Sequence, residues 1–390
     1  MSQHIVMLLS NPFRPDPRVL WEAEALIGAG HRVSLIAWDR QVELPAHEIK
    51  GGLEIFRIHS ARSSYAAGLK QVLRIPSFWR AAKDLGSSFK PDIVHCHDLD
   101  SLYCGVQLKR QTGCRLVYDA HENYPALMSL QLPSFAVKLL QILENRLLHS
   151  VDHTITASRQ FSAEISAHGF SPVTAIGNFA DPEIYRQITP DQVAAARFDL
   201  KIPQDSLVVA YIGGFTKDRV ILPLLQAARL LPEVHILLAG DGPQRPEIEA
   251  YCRVTNNIHD LGWVPFEKVP LITRLSDLLY YALKPGYPGA EYNAPNALGN
   301  AIAAGVPVLA NDIGDLGDTI RRYNCGLLLE ELTPQAVAGA INRLQDSDVR
   351  HELAASTALA VAAGCNTEAS KQKILAVYEA LFSTELPVNG

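Results

Sequence analysis

Residues 291–312 read EYNAPNALGNAIAAGVPVLAND. The second half of this stretch reads as a helix feeding a buried strand, with Gly305 and Pro307 at the corner. A helix delivered straight into an apolar strand is half of a βαβ unit, and such units build parallel sheets covered by helices. The residues of its first half differ from the rest. They are polar, Pro-broken and almost uncharged, at a place in the sheet where a ligand loop sits.

The same rhythm extends in both directions. Upstream of the quoted stretch lie SLVVAYIGG (206–214), VHILLAGDGP, NIHDLGWV and LLYYALKP, separated by helical stretches such as 220–231 and 266–276. An earlier series runs HIVMLLS, HRVSLIAWD, LEIFRIH, DIVHCHD, RLVYDA and HTITAS. Its first helix, VLWEAEALIGAG (19–30), sets Val19, Ala23, Leu26 and Ile27 on one side and stops at Gly30. Between the two series, residues 176–205 are polar and dotted with proline, as an interdomain connection should be. The expected fold is α/β, with two doubly wound Rossmann-like domains. The expected bounds are 1–180 and 181–369, with a closing helix in 370–390.

Composition agrees with an ordinary globular chain. Its 390 residues exceed what one core normally supports, and 48% are hydrophobic against 19% charged. A net charge of −6 argues against a dedicated nucleic-acid binder. No apolar run reaches the roughly 18 to 20 residues of a spanning helix, and the chain opens on a strand rather than a signal peptide. A cytoplasmic protein is expected. The six cysteines are scattered with no C-x-x-C pair, so reduced, buried thiols are expected. HCHD (95–98) ends a strand, where neighbouring side chains alternate between faces, so few of the four can converge on one metal ion.

In doubly wound sheets ligands bind beyond the C-terminal strand ends. The loops to read are therefore 10–18, 95–100, 119–125, 213–219, 240–243, 262–265 and 284–300. None carries G-x-G-x-x-G after the first strand, and G-x-x-x-x-G-K-[ST] is absent from the chain. A classical dinucleotide enzyme or P-loop NTPase is not expected. Gly240, Asp241 and Gly242 follow a strand, but they are also ordinary turn residues.

Taken together, DPRVLWEAEALIGAGHRVSLIAWDR, PDIVHCHDLDSL, VYDAHENYP, YIGGFTKDRV, LLAGDGP, LGWVP and YNAPNALGNAIAAGVPVLAND resemble the GT-B glycosyltransferases of the retaining, group-1 (family 4-like) type. The likeness keeps order and spacing over nearly the whole chain. It implies two Rossmann-like domains facing a cleft, with the helix at 370–384 crossing back to the N-terminal domain. It also implies transfer of a sugar from a nucleotide diphosphate sugar, the co-substrate, to an acceptor hydroxyl. Anomeric configuration would be retained, with no bound metal or other cofactor.

Residue by residue, the resemblance places Arg219 and Lys217 against the diphosphate, after the strand end at Gly213 and Gly214. Gly240 and Asp241 would lie on the donor side, and Trp263 and Val264 would offer backbone groups to the base. His121 would stand beside the reacting sugar as a neutral imidazole. Asp16, Arg18 and Asp98 would be acceptor-side. Read on their own, Arg219 is also a solvated helix-start residue, Trp263 simple packing, His121 a backbone-satisfied strand end, and Asp16 with Arg18 a local ion pair.

The quoted loop departs from the family pattern Y-N-x-P-N-K-x-x-E. Asn293 and Asn296 are in place, but Ala297 stands where the lysine would be and Asn300 where the glutamate would be. A carboxylate offers two anionic acceptors to a ribose, whereas an amide offers one neutral acceptor and two donors. The alternative reading is a weakened pseudo-enzyme that binds a nucleotide sugar or serves as a scaffold. Acceptors implied are a glycan or a lipid-linked sugar. The basic and aromatic stretch 62–83 suggests peripheral contact with the inner face of a membrane.

Overall fold

The computed structural model describes residues 2–14, 16–59, 74–170 and 172–383. It divides into two units, Met1–Gly177 with Lys371–Gly390, and Asn178–Ser370.

The first unit is built on an eight-stranded sheet. Its strands are β1 (His4–Leu9), β2 (Arg32–Trp38), β3 (His47–Lys50), β4 (Leu53–Ile58), β5 (Ile93–His97), β6 (Arg115–Ala120), β7 (His153–Thr156) and β8 (Val173–Ala175). They are ordered β3-β4-β2-β1-β5-β6-β7-β8 and are parallel except for the β3–β4 pair at one edge. β5 and all but the first residue of β1 are buried. That is why they read as unbroken apolar runs rather than alternating ones.

Among the described residues, the helices that lie between these strands are α1 (Pro17–Gly28), α2 (Ile75–Ser88), α3 (Leu99–Thr112), α4 (Tyr124–Met128), α5 (Ser134–Leu148) and α6 (Arg159–Ala167). α1 begins where it does because Asp16 accepts from the Arg18 backbone N at 3.1 Å and Pro17 occupies the first turn.

Of the stretch 62–83, residues 62–73 lie outside the described residues. The rest belongs to α2, and its aromatic side chains turn inward. Phe78 stacks on Trp38 with centroids 5.1 Å apart, and Trp79 donates its indole N–H to the Asp100 carbonyl at 2.6 Å.

The second unit carries a six-stranded, all-parallel sheet ordered β11-β10-β9-β12-β13-β14. Its strands are β9 (Val208–Ile212), β10 (His235–Ala239), β11 (Ile258–Gly262), β12 (Leu278–Tyr281), β13 (Val308–Asn311) and β14 (Gly326–Leu329). Two helices in the connecting stretch, α7 (Pro182–Arg186) and α8 (Pro190–Asp199), belong to this unit. Then follow α9 (Leu222–Leu230), α10 (Arg245–Cys252), α11 (Val269–Leu275), α12 (Asn296–Ala304), α13 (Gly314–Tyr323), α14 (Pro334–Arg343) and α15 (Ser347–Ala362).

The last helix, α16 (Thr367–Ser383), starts in the second unit. Its later residues Ile374, Val377, Tyr378 and Leu381 join the core of the first, beside Ile5, Met7, Leu26 and Val117.

Candidate active site

In the first unit the loops after β1, β5 and β6 meet in a buried ionic cluster. β6 ends with Asp119, which has no exposure. Arg18, on the first turn of α1, holds it bidentately: Nε donates to Oδ2 and Nη2 to Oδ1, each at 2.8 Å. Nη1 donates to the Ile176 carbonyl at 2.8 Å. One turn further along α1, Glu22 Oε1 lies 3.1 Å from Arg18 Nε. Asp16 caps the helix while the Arg18 side chain turns inward, so the two do not form the local frame allowed above. Arg18 is a buried structural cation rather than an exposed acceptor contact.

His121 lies just past β6. Its Nε2 sits 3.0 Å from Asp119 Oδ2 and 3.2 Å from His97 Nδ1, and its Nδ1 sits 3.6 Å from Asp98 Oδ2. Burial by itself lowers the pKa of His121. The carboxylates of Asp98 and Asp119 overcome that and hold it up at about 10. The ring is therefore an imidazolium at neutral pH, which corrects the neutral form expected from the sequence. With Nε2 committed to Asp119, Nδ1–H is the edge left to offer, and the side chain keeps 18% exposure.

Asp98 is pushed up to about 7 by burial, against the pull of His121. It adopts φ 62°, ψ 163°, a conformation costly for any residue with a Cβ. What holds it there is its own N–H donating to the Asp119 carbonyl at 2.9 Å and its carboxylate accepting from the His121 N–H at 3.2 Å. Asp98 thus does not cap α3 with its side chain; it faces His121.

Behind this pair stand His95 and His97, weighed in the sequence only as metal ligands, and Glu22, which the sequence did not single out. Alternation along β5 sends His95 and His97 to the same face, ring centroids 4.4 Å apart, and His95 Nδ1 meets the Tyr378 hydroxyl of α16 at 2.8 Å. Glu22, His95, His97 and Asp119 bring ligand-type atoms within 4.8 Å of one another. The Arg18 guanidinium already lies against both carboxylates and supplies positive charge there. Burial raises Glu22 well above the usual carboxylate range and lowers His95, both shifts that favour the uncharged form. The cluster accordingly holds few net charges for its depth. Beside it, a hollow of about 260 Å³ lies among α4, α5 and α6, lined by Asn123, Gln141, Glu144, Glu164 and His168 among others.

In the second unit the loops after β9 and β10 pack backbone to backbone. The Gly213 N–H donates to the Ala239 carbonyl at 3.0 Å and the Phe215 N–H to the Asp241 carbonyl at 2.9 Å. A Cβ on Gly240 would stand 1.9 Å from the Gly213 carbonyl oxygen, so only glycine lets the two loops touch. Gly214 and Lys217 are exposed. Arg219 is half-buried, 5.0 Å from the centroid of Tyr281 and paired with Asp218. It is not the solvated helix-start residue allowed above. Asp241 is exposed and bonded by Arg245 at 2.7 Å. Trp263 is 73% exposed and so packs little, while Val264 is half-buried against the core.

The quoted loop is a short 3₁₀ turn (Ala290–Tyr292) leading into α12. It is closed around its uncharged residues. Ala297 and Asn300 are buried, Asn296 is exposed, and the Oδ1 of Asn293 is buried without a hydrogen bond. A Cβ on Gly299 would lie 2.2 Å from the Asn178 carbonyl oxygen, and the Asn178 side chain donates to the Ala294 carbonyl at 2.8 Å. Another hollow, of about 540 Å³, is bordered by Ser206, Leu207, Val234 and Asp277. Those residues precede β9, β10 and β12, so it opens at the N-terminal strand ends, away from the ligand side of such sheets.

With this geometry in hand, known proteins place the chain. Residues 19–184 match the model of Glycosyltransferase Family 4, and residues 206–347 match that of Glycosyl transferases group 1. The chain belongs to the group-1 glycosyltransferases, with a family 4 N-terminal part. An uncharacterized glycosyltransferase of Methanocaldococcus jannaschii is 22% identical over 332 residues, covering 83% of this chain and 82% of that protein. Among solved structures, sucrose-phosphate synthase from Thermosynechococcus elongatus superimposes with a TM-score of 0.82 at 22% identity, covering 98% of this chain and 100% of that one. HepE of Anabaena in complex with UDP-glucose gives 0.72 at 17% identity, covering 97% and 100%. The fold is GT-B, and the protein is a glycosyltransferase.

Proposed function

We propose that this glycosyltransferase moves a sugar from a nucleoside diphosphate sugar to an acceptor hydroxyl with retention of configuration, without a bound metal. The acceptor is a glycan or a lipid-linked sugar, and the enzyme works peripherally at a membrane. The observation that carries the donor side is the pair of glycine-fitted loops after β9 and β10, with Arg219 beside them. Such loops bring backbone N–H groups close to an anion, and a guanidinium supplies the charge that a metal would otherwise bring to the leaving diphosphate. The neighbour solved with UDP-glucose supports a donor of this class. His121 donates from Nδ1–H to a hydroxyl of the reacting sugar, and Asp98 orients it.

The altered loop at 293–300 bears on the rival, binding-only reading. Its packing around Ala297, Gly299 and Asn300 favours a site rebuilt for uncharged residues over a decayed one. A lysine at 297 has no open space to enter.

Arg219→Ala is expected to weaken binding of the nucleoside diphosphate by roughly ten- to hundred-fold, the loss of one charged hydrogen-bonding partner. Calorimetry with the free diphosphate decides it, alongside a melting curve that should barely move. Unchanged affinity would make Arg219 a partner of Asp218 alone and put the diphosphate elsewhere.

A further inference from the structure

One helix of the first unit exposes an apolar face that the fold does not use. On α5, Phe135 is 70% exposed, Leu139 61%, Ile142 56% and Leu143 39%, with Leu130 just ahead at 47%. The spacing of four, seven and eight residues from Phe135 puts them on one stripe along the helix. The opposite side is occupied, since Val137, Glu144, Leu147 and Leu148 are buried in the domain. The helix is therefore apolar on both sides, and among the described residues only one of them is packed.

Charge identifies what covers the other. From Asn123 to Val151 the chain has one acid, Glu144, in a protein of net charge −6. That acid is buried and accepts from the Tyr118 hydroxyl at 3.0 Å. Lys138 and Arg146 are exposed. The stripe is thus flanked by cations with no exposed carboxylate on the helix.

Size points the same way. A helix of 15 residues is about 22 Å long and presents a strip about 10 Å wide, about 220 Å², far below the roughly 800 Å² per partner of a standard protein interface. A second copy on this face would also set Lys138 and Arg146 against their own counterparts. An interfacial helix needs only this: an apolar strip laid at the acyl boundary with Lys and Arg at the headgroups.

We infer that α5 is the face by which the protein docks on an anionic bilayer. This deepens the peripheral, lipid-linked side of the reading above and rests on it for its purpose. It stands beside the stretch 62–83, of which residues 62–73 lie outside the described residues, while Phe78 stacks on Trp38 and Trp79 donates to the Asp100 carbonyl.

The test is flotation of the full chain with vesicles of phosphatidylcholine containing phosphatidylglycerol, and with phosphatidylcholine alone, in the absence of any donor. The wild type should float with the anionic vesicles, less so as salt rises. Leu139→Glu combined with Ile142→Glu should reduce that partition about tenfold or more with an unchanged melting point, both sites being exposed. A wild type that stays soluble with both vesicles overturns the inference, and so does a double variant that floats as well as wild type. Light scattering that finds a dimer abolished by the double variant, without vesicle binding, would assign the face to a second copy and likewise overturn it. Nucleoside diphosphate binding, measured in parallel, separates the two readings. Lost flotation with intact nucleotide binding removes docking alone, and flotation without nucleotide binding supports docking while removing the transferase reading.

Discussion

His121→Ala is expected to lower the rate of sugar transfer by about 100- to 1,000-fold, the usual cost of removing one preorganised donor from a developing transition state. Binding of the free nucleoside diphosphate should be unaffected, because the residues assigned to it lie in the other unit. The prediction rests on the clamp around the ring. Asp119 takes Nε2, Asp98 stands 3.6 Å from Nδ1, and Nδ1–H is what a substrate meets. The same clamp fixes the pH behaviour. With a folded pKa near 10, above the free value, imidazolium stabilises the fold fully below about pH 6.5, and that contribution is lost as pH rises through 10. NMR should accordingly find the ring of His121 still charged at pH 8 in the wild type. In Asp98→Asn its titration should move down towards neutrality. A ring that titrates near 6.5 in both proteins, or a His121→Ala enzyme of normal rate, would remove the clamp from the mechanism.

Arg18→Leu should be strongly destabilising, at about 3 to 5 kcal/mol, because it removes the bidentate partner of a carboxylate with no exposure to water and leaves it to His121. Three of its contacts are lost together: both oxygens of Asp119 and the Ile176 carbonyl. Adding Asp119→Asn should recover part of the loss, since the amide carries no charge to strand. Asp16→Ala is the comparison. It removes a helix cap on the surface and should cost only about 1 kcal/mol. Denaturant unfolding that ranks Asp16→Ala above Arg18→Leu would show the cluster to be incidental.

Why the sequence spoke for the fold and less for the site follows from the same residues. Continuous apolar runs such as HIVMLLS and SLVVAYI belong to strands buried on both faces, and Gly30 marks a helix end, so two parallel sheets were legible. The edge strand β3 was not, because HEIK is mostly exposed and has no apolar signal. Neither was Glu22. A charged residue in an amphipathic helix reads as solvent-facing, and its burial depends on Arg18 one turn earlier reaching a strand end 101 residues away. His95 and His97 did carry a signal. The alternation used to argue that HCHD cannot close on a metal also puts those two rings on one face, where they back His121. Arg219 looked solitary because its partner is its neighbour, Asp218, and adjacency in sequence does not predict pairing. Trp263 was read either as packing or as offering backbone groups to a base, and its 73% exposure speaks against the packing role.

We propose that the loop Asn293–Asn300 serves a working donor site without the family's lysine and glutamate. The most direct measurement is incubation of the full chain with a panel of nucleoside diphosphate sugars, following thermal shift and release of the free nucleoside diphosphate together. One donor should raise the melting point, with stabilisation of about 2.7 kcal/mol at a hundredfold excess over its dissociation constant. The same donor should be consumed once an acceptor is supplied, with the sugar delivered in its original anomeric configuration. Stabilisation by a donor that is never turned over would make this chain a nucleotide-sugar-binding protein, and no stabilisation by any of them would contradict the donor site itself.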